Sequence, residues 1–202
     1  MPYYSFGLGI LLLLVSGVMG GILLLAPGSI RLQRPDCGWV GWAFNIMNLL
    51  FFFVLIPLCS LMMIFEYPIP IFFCYQLPSA GIRVGLEIIG ILVFLMGGFL
   101  LLWSRLSLRR SFRLGGVKPS NTDYLTTHGP YKVVRHPMYL SALLVLLGLT
   151  LILTSFLMAI MFVMLLVLIL KLIPVEEAQL DQAYPMAYAE YCRRVPRALI
   201  TC

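Results

Sequence analysis

Apolar and charged positions divide this chain into long uncharged runs separated by short basic segments. Phe6 to Ala26 is 21 residues without a charge, and Trp39 to Phe65 is 27. Val84 to Trp103 covers 20 residues with Glu87 as its one charge, and Pro137 to Leu170 is 34 residues with none. At about 1.5 Å per residue, each of the first three runs can cross a hydrocarbon core of about 30 Å as one helix. The fourth would measure about 51 Å, far more than a crossing needs. It is therefore predicted to turn back at Thr154 and Ser155, forming a hairpin whose two ends emerge on the same face. The leading MPYYS carries no basic residue, so the first run reads as a membrane helix rather than a cleaved leader.

Finer features punctuate these runs. Pro57 predicts a kink in the second, and Asn45 and Asn48, one turn apart, predict hydrogen bonds to a neighbouring helix. Residues 67–78 hold three prolines and are too short to span, so they are expected to lie along the outer interface. Gly85, Gly90, Gly97 and Gly98 predict close helix approach in the third run. Arg105, Arg109, Arg110 and Arg113 alternate with Leu106, Leu108, Phe112 and Leu114, the pattern of an amphipathic surface helix. Pro174 is expected to end the last membrane helix. Beyond it Tyr184, Tyr188, Tyr191 and Val195 fall on one face of a tail helix, restarted at Pro185 and stopped by Pro196.

Composition agrees with a membrane-embedded, all-α bundle of about five spanning helices: 61% of residues are hydrophobic and 11% charged. Location decides what the net charge of +6 means. Of 14 basic residues, all but Arg83 fall in the segments that five crossings would put on one face. That is the positive-inside pattern, with the N-terminus outside and the C-terminus cytoplasmic, and it argues against nucleic acid as the partner. Two regions follow: residues 1–113 with three helices and the basic segment, and residues 114–202 with the hairpin (137–173) and the surface tail. The five cysteines lie scattered with no metal-ligand spacing, so no metal site is expected.

Chemistry concentrates at the two ends of the hairpin. Pro137 suits the first helical position, so the free N–H groups of that first turn, with Arg135 beside them, make an anion site. Glu176 and Glu177 at the other end point about 100° apart on a helix and suit hydroxyls or a cation. S-adenosylmethionine, with a carboxylate, an amine, a ribose diol and a sulfonium, meets all of these needs. A dinucleotide such as NADPH also offers phosphate and ribose, and Arg135 could instead simply pair with the glutamates as charged helix ends. Residue chemistry alone leaves the three open.

The stretch HGPYKVVRHPMY (128–139), followed by EExxL from Glu176, by Tyr184, by YxxY from Tyr188 and by VPR at 195–197, resembles the isoprenylcysteine carboxyl methyltransferase and phospholipid methyltransferase superfamily of integral membrane enzymes. The likeness covers Leu114 to Arg197. It implies an S-adenosylmethionine pocket lined by Arg135, His136 and Tyr139, with Glu176 and Glu177 as its paired acids and His128, Gly129, Pro130 and Tyr131 as the loop leading in. It implies methyl transfer to a lipophilic acceptor, a prenylcysteine-like carboxylate or a lipid, with Arg135 and Glu176 nearest the chemistry. A carboxylate acceptor needs no base; an amine has to lose a proton, for which His128 or Glu176 is available. Departures from the family pattern are Ser141 in place of a glycine and Tyr184–Pro185 in place of FG. Membrane sterol reductases share the RHP element but read HPNYxGE, where this chain has Met138, Ser141 and Ala142. A non-catalytic membrane protein that keeps the motif is the remaining alternative.

Overall fold

The computed structural model describes residues 6–25, 38–65, 67, 79–108 and 124–195. Among these every regular element is helical: α1 (Phe6–Leu25), α2 (Gly38–Ile64), α3 (Ala80–Leu108), α4 (Pro137–Leu153), α5 (Phe156–Ala183) and α6 (Pro185–Arg194). A 3-10 turn at Gly129–Lys132 precedes α4. Three helices, α2, α3 and α5, are long and apolar enough to cross a membrane, at 27, 29 and 28 residues. Their outward faces are apolar; Leu92 and Phe99 on α3 are 62% and 67% exposed. A contiguous surface of that kind suits lipid rather than water.

The tightest packing joins α3 to α4. A Cβ at Gly148 would lie 2.6 Å from the backbone nitrogen of Phe94 and 2.7 Å from the carbonyl oxygen of Gly90. A Cβ at Gly97 would lie 2.7 Å from the nitrogen of Val145. Glycine at these positions brings two backbones together, which is how helices gain van der Waals contact where lipid gives no hydrophobic advantage. Gly90 and Gly97 act as the sequence predicted, whereas Gly85 faces open space. The core around this seam is fully buried at Val145, Leu146, Leu149, Ile152, Ile169 and Leu172.

The hairpin turns where its length required. Thr154 adopts the left-handed conformation (φ 46°, ψ 46°), Ser155 is extended, and α4 and α5 run back from them. Just before Pro57, α2 widens into a π-helical turn at Phe51–Leu55, with the N–H of Ile56 donating to the oxygen of Phe51. Asn48 donates to the carbonyl of Phe44 in its own helix at 2.8 Å and, among the described residues, not to a neighbouring helix. Two further expectations are corrected. Pro174 does not end the last membrane helix, because α5 continues through it to Ala183, with Leu172 and Ile173 buried before it and Glu177 and Gln179 after it. Packing on both sides carries the helix across the missing N–H. Arg105 is not on a surface helix: it sits in the last turn of α3, only 1% exposed. The interfacial segment at 68–78, the basic stretch 109–114 and Pro196 lie outside the described residues.

Candidate functional site

The site forms where the ends of the hairpin meet the tail. Gly129 takes φ +63°, and a Cβ there would lie 2.3 Å from Oγ of Ser107, so the loop leading to α4 seats its backbone directly on the end of α3. That seating buries Pro130 and Tyr131. Tyr131 lies near Arg105 and Glu176, and burial, aided by Glu176 and Tyr191 and opposed by Arg105, raises its phenol well above the usual range. His136 is the N-cap of α4 and Pro137 its first residue. A residue before proline is kept out of the helical region, which fixes the turn into the helix here. His136 makes no side-chain capping bond, so the first-turn N–H groups are not closed off by it.

Two acids on α5 face this helix start. Nε2 of His136 lies 3.4 Å from Oε1 of Glu177, and Nδ1 lies 3.8 Å from Oε2 of Glu176. Nη1 of Arg135 lies 3.3 Å from the same Glu177 oxygen. The Tyr139 ring stacks on the His136 ring at 5.7 Å, and Phe44 of α2 meets Tyr139 edge-on at 5.4 Å. Phe44, Tyr139 and His136 thus form an aromatic row beside the acids. Oε2 of Glu176 is buried and makes no hydrogen bond among the described residues.

The tail closes the other side. Tyr188, Tyr191 and Val195 form a buried cluster with Leu125, Leu180, Tyr184 and Cys192, the face the spacing predicted. Nε of Arg135 donates to the carbonyl of Val195 at 2.8 Å and Nη2 to that of Cys192 at 2.9 Å. The hydroxyl of Tyr191 donates to the carbonyl of Tyr131 at 2.8 Å. Burial pushes the Tyr191 phenol up to about 12 against the opposing charge of Arg135. Tyr188 is raised too, by burial first and by Glu177 second.

Of the residues singled out in the sequence, Arg135, His136, Tyr139, Glu176 and Glu177 are brought together, with Gly129 and Tyr131 shaping the approach. His128 is exposed at the loop and makes no hydrogen bond or ion pair to the cluster among the described residues. The charged pairing of Arg135 with a glutamate, one of the sequence alternatives, is present. Sequence reasoning missed Arg105 as a member of the site, its basic neighbours having suggested a surface. It also missed the main-chain acceptors of Cys192 and Val195, because a carbonyl leaves no signature in side-chain pattern.

The comparison with known families falls on this region. A family model described as phospholipid methyltransferase matches residues 86–187, just over half of the 202 residues. The match begins inside α3, earlier than Leu114, and takes in the whole hairpin. No curated protein matches the chain.

Proposed function

The chain belongs to the phospholipid methyltransferase family, a family of membrane methyltransferases, and from that premise we propose that it transfers a methyl group from S-adenosylmethionine to a lipophilic acceptor at the cytoplasmic face. The observation that carries the reading is the buried Glu176 Oε2, an acceptor with no hydrogen bond, beside the uncapped first turn of α4. A ligand with an ammonium or ribose hydroxyl at one end and a carboxylate at the other fits that pair. S-adenosylmethionine has this donor set and, when bound, supplies a methyl group already activated on sulfur.

Glu176 accepts from the ligand, and the first-turn N–H groups of α4 receive its carboxylate with the help of the helix dipole. Glu177 and His136 hold one another and so fix the depth of the site. Tyr139 and Phe44 keep water out on the membrane side. Methyl transfer is an in-line displacement, so alignment is the main demand on the protein. An amine acceptor has to lose a proton, for which Glu176 or His128 is the base in this reading; a carboxylate acceptor needs none. The bundle crosses the bilayer five times, with the N-terminus outside and the tail inside.

The test is titration of the purified protein in detergent with S-adenosylhomocysteine and, in parallel, NADPH. Glu176→Gln should weaken S-adenosylhomocysteine binding about 10 to 150-fold, the loss of a charge-assisted hydrogen bond of about 1.5–3 kcal/mol. Binding of NADPH alone would hand the site to a reductase, and binding of neither would leave the charged cluster as a structural weld.

A further inference from the structure

A guanidinium offers a side-on edge, Nε with Nη2, and an end that carries Nη1. In Arg135 the side-on edge is filled by the carbonyls of Val195 and Cys192 at 2.8 and 2.9 Å. The Nη1 end faces Glu177 at the longer distance of 3.3 Å. Both carbonyls belong to the end of α6, where the last turn has acceptors without partners in the helix and the dipole is negative. Arg135 therefore caps the tail helix from 57 and 60 residues away in sequence. The bond from Tyr191 to the carbonyl of Tyr131 ties the same end of the tail to the same loop. What joins the tail to α5 is one non-helical residue, Tyr184 (φ −137°, ψ 58°), followed by Pro185. The tail is thus a rigid rod on a one-residue joint, fastened at its far end to the loop that leads into the site.

We propose that Arg135 is a positioning residue that latches the tail helix against the acidic pair, so that cofactor affinity depends on tail docking and not on a contact between this guanidinium and the cofactor carboxylate. The proposal rests on the methyltransferase reading only for its affinity half; the docking half stands on the tail alone. Arg135 keeps Glu177 in place with Nη1 while its other edge holds the tail. Tyr188, beside Glu177, is carried into position by the same docking. Loss of the latch frees the tail to swing at Tyr184 and opens the acids to water.

Amide hydrogen exchange of residues 186–195 in the full-length protein in detergent reads docking, and titration with S-adenosylhomocysteine reads affinity. Arg135→Ala should speed tail exchange roughly tenfold or more and weaken S-adenosylhomocysteine binding in parallel. Arg135→Lys, which keeps the charge but loses the planar fork, should recover part of both, and it serves if the alanine variant fails to fold. Tyr191→Phe should do the same to a smaller extent and add little in the Arg135→Ala background, since both changes undo one event. Weakened binding with tail exchange unchanged would mean that Arg135 touches the cofactor directly and would overturn the latch. Faster exchange with affinity unchanged would overturn the link between docking and binding. Absence of any S-adenosylhomocysteine binding by the unaltered protein would count against the methyltransferase reading, while the exchange measurement would still decide the latch.

Discussion

Nε2 of His136 and Oε1 of Glu177 stand 3.4 Å apart, although 41 positions separate them in the sequence. The contact joins the start of α4 to the far end of α5, so the hairpin is closed at its polar end as well as at its turn. Glu177 also serves Arg135, and its side chain is only 8% exposed. Removing one partner of a buried charged pair leaves the other uncompensated, so Glu177→Ala should lower stability by about 3–5 kcal/mol. Glu176, with its side chain 32% exposed and its Oε2 without a hydrogen bond among the described residues, should cost less than about 1 kcal/mol when changed to Gln. Unfolding in mixed detergent micelles would separate the two. Equal losses would show that Glu177 is not the weld.

The seam between α3 and α4 makes a second pair of expectations. Gly148→Ala drives a methyl group against backbone atoms of Phe94 and Gly90 that have no room to yield. A cost of about 1–3 kcal/mol follows from overpacking. Gly85→Ala meets nothing within 4 Å and should be neutral or stabilising by up to about 1 kcal/mol, through helix propensity alone. Melting temperatures of the two variants in one detergent test this contrast, and a Gly148 variant as stable as the parent would mean that the helices part more easily than their contact suggests.

Alkaline pH should undock the tail. Burial raises the phenols of Tyr131 and Tyr188 and pushes that of Tyr191 to about 12. A phenol raised in the folded protein is held neutral there, so its stabilisation is complete below the free value of about 10 and is lost as pH climbs through the folded value. Tyr191 must stay neutral to donate to the Tyr131 carbonyl. Ultraviolet titration of tyrosinate, run beside tail protection (exchange divided by the base-catalysed intrinsic rate at each pH), should show protection falling between about pH 10 and pH 12. Tyr191→Phe should flatten that fall. Tail protection independent of pH across this window would rule the phenols out as part of the docking.

The division of basic residues predicts an orientation in the membrane. A reporter fused after Ser155 should register outside, and reporters after Thr126 and at the C-terminus should register inside. An outside C-terminus would put the acids on the wrong side for a cytoplasmic cofactor.

The hairpin could be read from length alone, since 34 uncharged residues exceed any single crossing, and the tail face could be read from its tyrosine spacing. Pro137 as a first helical residue could be read from proline's tolerance there, and the pairing of Arg135 with a glutamate was one of three alternatives that residue chemistry left open. Pro174 misled because local propensity lost to packing, with Leu172 at 0% exposure and Glu177 at 7% holding the helix on either side. Arg105 misled because its neighbours in sequence are basic while its neighbours in space are the loop and Tyr131. The grip of Arg135 on the tail was beyond pattern reading, since its acceptors are main-chain oxygens.

The unbroken passage of α5 through Pro174 turns that helix into a depth gauge. Twenty-eight residues make a rod of about 42 Å against about 30 Å of hydrocarbon, so an upright α5 stands about 12 Å clear of it. Glu176 and Glu177 ride on that projecting end without a joint between them and the membrane-buried part. For an upright helix a thicker bilayer would draw both carboxylates toward the acyl chains and a thinner one would lift them away, so lipid chain length would set the height of the acidic pair above the hydrocarbon.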